Sequence, residues 1–99
     1  MHFLVLAWDR TDEDAVARRD ASRQAHMELI TELFEAHHVV VGAGILDDDG
    51  IVRGSVIIVD YPDRAAVDEY LGTEPLKTNA VWERFEVHPL RLPDMYLKR

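Results

Sequence analysis

The sequence predicts an α+β sandwich with the order β-α-β-β-α-β and an extra short helix before the last strand. Three observations predict it. Four runs rich in Val, Ile, Leu and Phe alternate with stretches of helical periodicity. An Asp-Gly turn joins the second and third runs. No repeat, linker or low-complexity segment interrupts the order.

Residues 2–8 form an apolar run containing Phe3, Val5 and Trp8, read as the first strand. Thr11-Asp12-Glu13-Asp14 reads as helix entry, since acids are favourable near the positive helix end. Helical periodicity then runs to about His38. Val39-Val40-Val41 opens a second strand that passes through Gly42-Ala43-Gly44 to Leu46. Asp47-Asp48-Asp49-Gly50 is a hairpin turn, and a third strand runs from Ile51 to Asp60. Pro62-Asp63 starts a second helix reaching Leu71-Gly72. Thr73-Glu74-Pro75 starts a short third helix through about Trp82. Residues 84–92 form the last strand, ended by Pro93. This order is that of a ferredoxin-like split βαβ sandwich.

The first and third strands are apolar on both alternating faces: Leu4, Leu6 and Trp8 against Phe3, Val5 and Ala7, and Val56 and Ile58 against Ile57 and Val59. Two helices cover one face of such a sheet. The expected cover for the other is the same face of a second copy, giving a homodimer.

Composition bounds the rest. Ninety-nine residues make one domain, residues 1–99. The chain has no cysteine, which excludes disulfides and thiolate metal sites. No apolar run approaches the length of a membrane span, and the N-terminus has no signal-peptide pattern. The expected location is cytoplasmic. A net charge of −8 argues against nucleic-acid binding, which needs a Lys/Arg surface.

The chemistry concentrates on one stripe of the first helix: Arg19, Arg23, His26, Ile30, Leu33, His37. Its second half contains the apolar residues Ile30 and Leu33 and its first half is cationic and titratable, which points to a lined cavity. Histidine is the side-chain type that ordinarily changes charge close to neutral pH, so His26 suits general acid or base work. Arg23 and Arg19 can clamp a carboxylate or enolate, or pair with Asp12, Asp20 or Glu28 on the surface. Ser55 can hydrogen-bond a ligand, but no strand-turn-helix elbow surrounds it to make it a nucleophile. Glu74, beside the helix-opening Pro75, is an ordinary capping position. Gly42-Ala43-Gly44 leads into a hairpin and is not a dinucleotide loop. Asp47–Gly50 lacks calcium-loop spacing. His26 and His37 lie about 16 Å apart along a helix, too far to share a metal. No metal or cofactor is expected.

Arg19 with Arg23-Gln24-Ala25-His26-Met27, Gly42-Ala43-Gly44-Ile45, Gly54-Ser55, Glu74-Pro75-Leu76, Val81-Trp82-Glu83 and Val87-His88-Pro89 stand in the order and spacing of the motifs of the YciI-like (YCII-related) family. The chain resembles that family over nearly its whole length. The resemblance implies a dimeric α/β barrel with a His–Asp site beside a serine, and some relatives act as lyases or dehydrochlorinases on muconolactone-like and hydroxyquinol-type rings. Glu74 stands where the family has aspartate, and Leu76 where it has an aromatic residue. The implied catalytic pair is His26 and Glu74, the carboxylate fixing the imidazole tautomer. Arg23, Arg19 and Ser55 would hold the substrate. The expected function is a cofactor-independent lyase- or isomerase-type enzyme acting on a small anionic or lactone-type substrate. The alternative is a non-catalytic dimeric module that binds a small molecule in the same cavity.

Overall fold

The computed structural model describes residues 1–97. Its elements are β1 (His2–Asp9), α1 (Ala15–Glu35), β2 (Val39–Leu46), β3 (Val52–Asp60), α2 (Arg64–Leu71), α3 (Pro75–Thr78) and β4 (Trp82–Leu90), followed by a 3₁₀ turn at Asp94–Tyr96. The four strands form one sheet in the order β2-β3-β1-β4, antiparallel at every step. The fold is the ferredoxin-like α+β sandwich that the element order predicts. Val5, on central β1, faces Ile57 of β3 and Val87 of β4.

Strand alternation gives the sheet two unlike faces. Phe3, Val5, Ala7, Ile57 and Val59 are buried and join Val67, Tyr70 and Leu71 of α2, Leu76 of α3, Val39, Val81 and Trp82 in one core. Each large apolar side chain buried there contributes about 1.5–3 kcal/mol. The helix-free face carries Leu4, Leu6, Trp8, Val56 and Ile58, all half-buried, with Val41 half-exposed. The Arg84 guanidinium stacks over the Trp8 ring, 3.6 Å from its centroid. Trp8 therefore lies on the face opposite the core.

The entry of α1 is organised by Asp12. Its carboxylate accepts two hydrogen bonds from Arg18, at 3.0 and 2.8 Å, and one from the Asp14 N–H. The Arg18 guanidinium holds the Asp12 carboxyl down at about 2. Asp14, at the N-cap, makes no side-chain cap bond, so the acidic run acts through an ion pair rather than by capping. At α2, by contrast, Asp63 accepts the Ala66 N–H at 2.9 Å as an ordinary N-cap.

Two helices stop earlier than their periodicity predicts, by the same device. At the end of α1, His37 donates to the Phe34 carbonyl and His38 to the Leu33 carbonyl, with His37 at φ 64°. After α3, Ala80 donates to the Lys77 carbonyl and Val81 to the Leu76 carbonyl, with Ala80 at φ 58°. Both are Schellman stops, whose left-handed position ordinarily takes glycine. With His37 and Ala80 there, the sequence carries no stop signal. The expected helix limits near His38 and Trp82 therefore become Glu35 and Thr78, and Trp82 opens β4 instead. Among the described residues, no helix is long and apolar enough to cross a membrane.

Candidate active site

The inward stripe of α1 is Ala15, Arg19, Ser22, His26, Ile30, Leu33, spaced by four and three residues. Only Ala15 and Ser22 are fully buried. Arg19 and His26 are half-buried, and Ile30 and Leu33 pack on the core. Arg23 sits one step round the helix and is exposed, and His37 lies beyond the helix end. The predicted stripe thus divides into inward residues (Arg19, His26, Ile30, Leu33), a rim residue (Arg23) and one residue outside the helix (His37).

A cavity of about 360 Å³ opens between this stripe and strands β2 and β3. Arg19, Asp20, Arg23, His26 and Ser55 supply its polar lining, and Val16, Ile30, Val52 and Ile57 are among its apolar walls. Gly42 and Gly44 face it from β2, where they pair with Ile57 and Ser55 of β3. A Cβ built on Gly42 meets only the Val56 carbonyl, at an ordinary 3.8 Å, so space for a side chain exists and is left to the cavity.

Behind His26 stands Glu74. Its carboxylate is completely buried, and Oε1 lies 2.6 Å from His26 Nδ1. Oε1 also accepts the Leu76 N–H at 3.2 Å, because Glu74 is the N-cap of α3. Tyr70 on α2 donates its hydroxyl to Oε2 at 2.5 Å. A buried carboxylate costs several kcal/mol unless its oxygens are satisfied, and three donors satisfy these. Capping and contact with His26 are therefore one arrangement. With Nδ1 engaged, the other ring nitrogen, Nε2, is left without a partner among the described residues, on a ring that lines the cavity. Burial pushes the Tyr70 phenol far above its usual range, and the adjacent Glu74 charge adds to the shift.

A second relay supports the opposite wall. Arg19 donates from Nε and Nη2 to the two oxygens of Asp9, at 2.6 and 3.0 Å. The same Nη2 donates to Ser55 Oγ at 2.8 Å and to the Gly54 carbonyl at 3.2 Å. Arg19 is therefore paired with Asp9 rather than with Asp12, Asp20 or Glu28. Asp9 and Ser55 are buried. A Cβ on Gly54 would sit 2.6 Å from the Ala7 carbonyl, so glycine is what lets β3 approach β1 next to this cluster. Ser55 accepts from Arg19, and its own O–H has no acceptor among the described residues. Arg23 has no ion pair or hydrogen bond there at all.

The structure thus brings His26, Glu74, Arg19, Arg23 and Ser55 around one cavity, with Glu74 one layer behind. Sequence reading missed Asp9 and Tyr70. Asp9 has the same strand parity as Phe3, Val5 and Ala7, which was a signal that it points inward. Tyr70 shares the buried side of α2 with Val67 and Leu71. Among the described residues no group of three or more His, Cys, Asp or Glu side chains is arranged to hold a metal.

The model of the YCII-related domain family matches residues 1–91. No functionally curated protein matches the chain. Among solved structures, the fold is similar to 5-chloro-2-hydroxyhydroquinone dehydrochlorinase from Burkholderia phenoliruptrix in complex with 2,5-dihydroxybenzoquinone, with TM-score 0.81 and 20% identity over 96% of this chain and 98% of that one. It is also similar to an antibiotic biosynthesis monooxygenase-type protein of Bacteroides thetaiotaomicron, with TM-score 0.55 and 13% identity over 92% and 89% of the two chains. At these identities the likeness establishes the shared fold.

The raised Tyr70 phenol makes a prediction. Unfolded, Tyr70 ionises near pH 10; folded, it keeps its proton well above that. Its stabilising contribution is complete below pH 10 and is lost as the pH climbs above it, reaching a penalty of about 1.4 kcal/mol at pH 11. Urea melts at pH 9, 10 and 11 should show stability falling more steeply in the wild type than in Tyr70→Phe. Equal slopes in the two proteins would contradict the assignment.

Proposed function

The chain belongs to the YCII-related domain family, and from that premise and the site geometry we propose that it is a small cofactor-independent enzyme that transfers a proton on a small anionic, ring- or lactone-type substrate. One observation carries this reading. A completely buried carboxylate engages His26 Nδ1 at 2.6 Å and leaves Nε2 unpaired on a ring lining a cavity.

The roles follow from the geometry. With Glu74 ionised, His26 donates Nδ1–H to it and offers the Nε2 lone pair to the cavity. Nε2 takes a proton from a carbon next to a carbonyl or lactone group, and Glu74 stabilises the imidazolium that forms. The electron pair left on carbon moves toward the carbonyl oxygen. It then either accepts the proton back at another position, an isomerisation, or expels a leaving group, an elimination. Neither outcome changes the redox state of the pair of reactants taken together. Arg23, unpaired at the rim, holds the substrate's negative charge. Ser55 donates its free O–H to a substrate oxygen, polarised by the Arg19 hydrogen bond it accepts. Arg19 thus acts on the substrate through Ser55, its own charge being held by Asp9.

The relative of highest fold similarity named above is a dehydrochlorinase in complex with a dihydroxybenzoquinone. This supports a ring of that size as substrate. The helix-free apolar face of the sheet supports a homodimer in which two sheets stack about 10 Å apart. Placing a charge there by Val56→Glu should convert the dimer to monomer in light scattering. A wild type already monomeric at micromolar concentration would remove this part of the reading.

A thermal-shift screen of small carboxylates, enol lactones and hydroxyquinols, followed by turnover assays, tests the function. The wild type should be stabilised by a member of these classes, Arg23→Ala should bind it at least tenfold more weakly, and His26→Ala should bind it but turn it over at least a hundredfold more slowly. Binding without product in the wild type would make the protein a binding module. Turnover unchanged in His26→Ala would exclude the mechanism.

A further inference from the structure

Along α1 from Ala15 to His26, most of the charge is committed. Arg18 is bonded to Asp12, Arg19 to Asp9 and His26 to Glu74. Asp20 and Arg23 are what remains. Neither side chain makes a hydrogen bond or ion pair among the described residues. They stand three residues apart on the helix, a spacing that puts Cβ atoms about 5–6 Å from each other and lets opposite charges meet. No ion pair joins them all the same. A surface charge without a partner is ordinary. The position of these two is not.

Both line the cavity that holds His26 and Ser55. Both also line an open groove on the outer side of α1, together with Glu28, Glu32 and Glu35. Side chains shared by an inner and an outer surface stand at the mouth. The mouth therefore carries one cation and one anion, side by side, while the charge of Arg19 deeper in is answered by Asp9. A guanidinium only donates hydrogen bonds and a carboxylate only accepts them. A ligand that satisfies both brings one negative charge for Arg23 and one donor for Asp20. On the small ring- or lactone-type anion of the proposed function, that donor is a hydroxyl. A ligand with two negative charges gains at Arg23 and loses at Asp20, and the three glutamates of the outer groove add to its repulsion. A monoanion without the donor covers Asp20 and returns no hydrogen bond to it.

We propose that Asp20 is a specificity-determining residue: beside Arg23 at the cavity mouth, it admits a ring that carries one negative charge with a hydroxyl next to it and turns away the dianionic counterpart. The proposal rests on the reading of this cavity as the ligand site, and it holds whether or not the ligand is turned over. A hydrogen bond to a charged group is worth about tenfold in affinity. Asp20 is exposed and its side chain bonds to no other element, so its loss acts on the choice of ligand and leaves the fold in place.

The test compares three ring acids of one shape by titration calorimetry at neutral pH. 3-Hydroxybenzoate carries the charge and the hydroxyl, 3-methoxybenzoate has the hydroxyl capped, and isophthalate has a second charge in its place. The wild type should bind 3-hydroxybenzoate about tenfold more tightly than either of the others. Asp20→Asn keeps the size of the side chain and removes its charge. It should reduce the preference over isophthalate about tenfold, chiefly by binding isophthalate better. At about 1 M salt, where charges are screened beyond about 3 Å, the wild type should lose most of that same preference and keep the one over 3-methoxybenzoate. Should the asparagine variant fail to fold, Asp20→Ala gives the same comparison. A wild type that binds none of the three, or binds them alike, would overturn the proposal, as would a folded variant with the preferences of the wild type. Preferences that depend on Asp20 in a protein that turns over no small anionic ring would leave the proposal standing and sink the enzyme reading; preferences untouched by Asp20→Asn together with loss of turnover in His26→Ala would do the reverse.

Discussion

The constraint on which the site depends is the complete burial of one carboxylate. Glu74 is a charged side chain with no exposure to water, and such a group is tolerated only where donors surround it. Those donors come from three elements: His26 from α1, Tyr70 from α2 and the Leu76 N–H from α3. Satisfying the carboxylate therefore fixes how the three helices meet. Asn79, just past α3, adds a hydrogen bond to Ser22 on α1 at 3.1 Å and ties the same pair of helices together. The chemistry of the site and the packing of the helical layer are one set of contacts.

The far wall of the cavity repeats the logic. Arg19 is the half-buried cation, Asp9 supplies its counter-charge from the end of β1, and Ser55 is the group presented to the cavity. In both relays a buried carboxylate lies behind, Glu74 against His26 and Asp9 against Arg19, and the group it holds lines the cavity. Between them Gly42 and Gly44 keep the β2 floor free of side chains. The sheet provides the rigid base: β1 and β3 pair along seven consecutive positions, from His2 with Asp60 to Trp8 with Gly54.

Much of this was legible in the sequence, and the gaps have physical causes. The four strands and their order follow from apolar runs separated by an Asp-Gly turn and helical stretches. His26, Arg23, Arg19, Ser55 and Glu74 are the five residues the structure gathers, because a helical stripe and its motif spacing survive folding. The helix ends were not legible, since His37 and Ala80 occupy left-handed positions that normally announce themselves as glycine. Arg23 and Arg19 look equivalent at a spacing of four, but they lie 400° apart at 100° per residue. That 40° offset leaves Arg23 at the rim and unpaired, while Arg19 turns inward to Asp9. Tyr70 and Asp9 act at second remove, through Glu74 and Arg19. Their role depends on a tertiary contact that no local pattern encodes.

In the proposed function His26 moves a proton at carbon. Deuterium exchange measures that step without waiting for a complete reaction. Small carboxylates, enol lactones and hydroxyquinols that bind the protein are incubated with it in D₂O, and mass spectrometry and proton NMR follow the C–H next to the carbonyl. The wild type should wash deuterium into at least one bound compound at that position, and His26→Gln should not. Compounds that bind the cavity and acquire no deuterium, or acquire it equally with His26→Gln, would contradict the account.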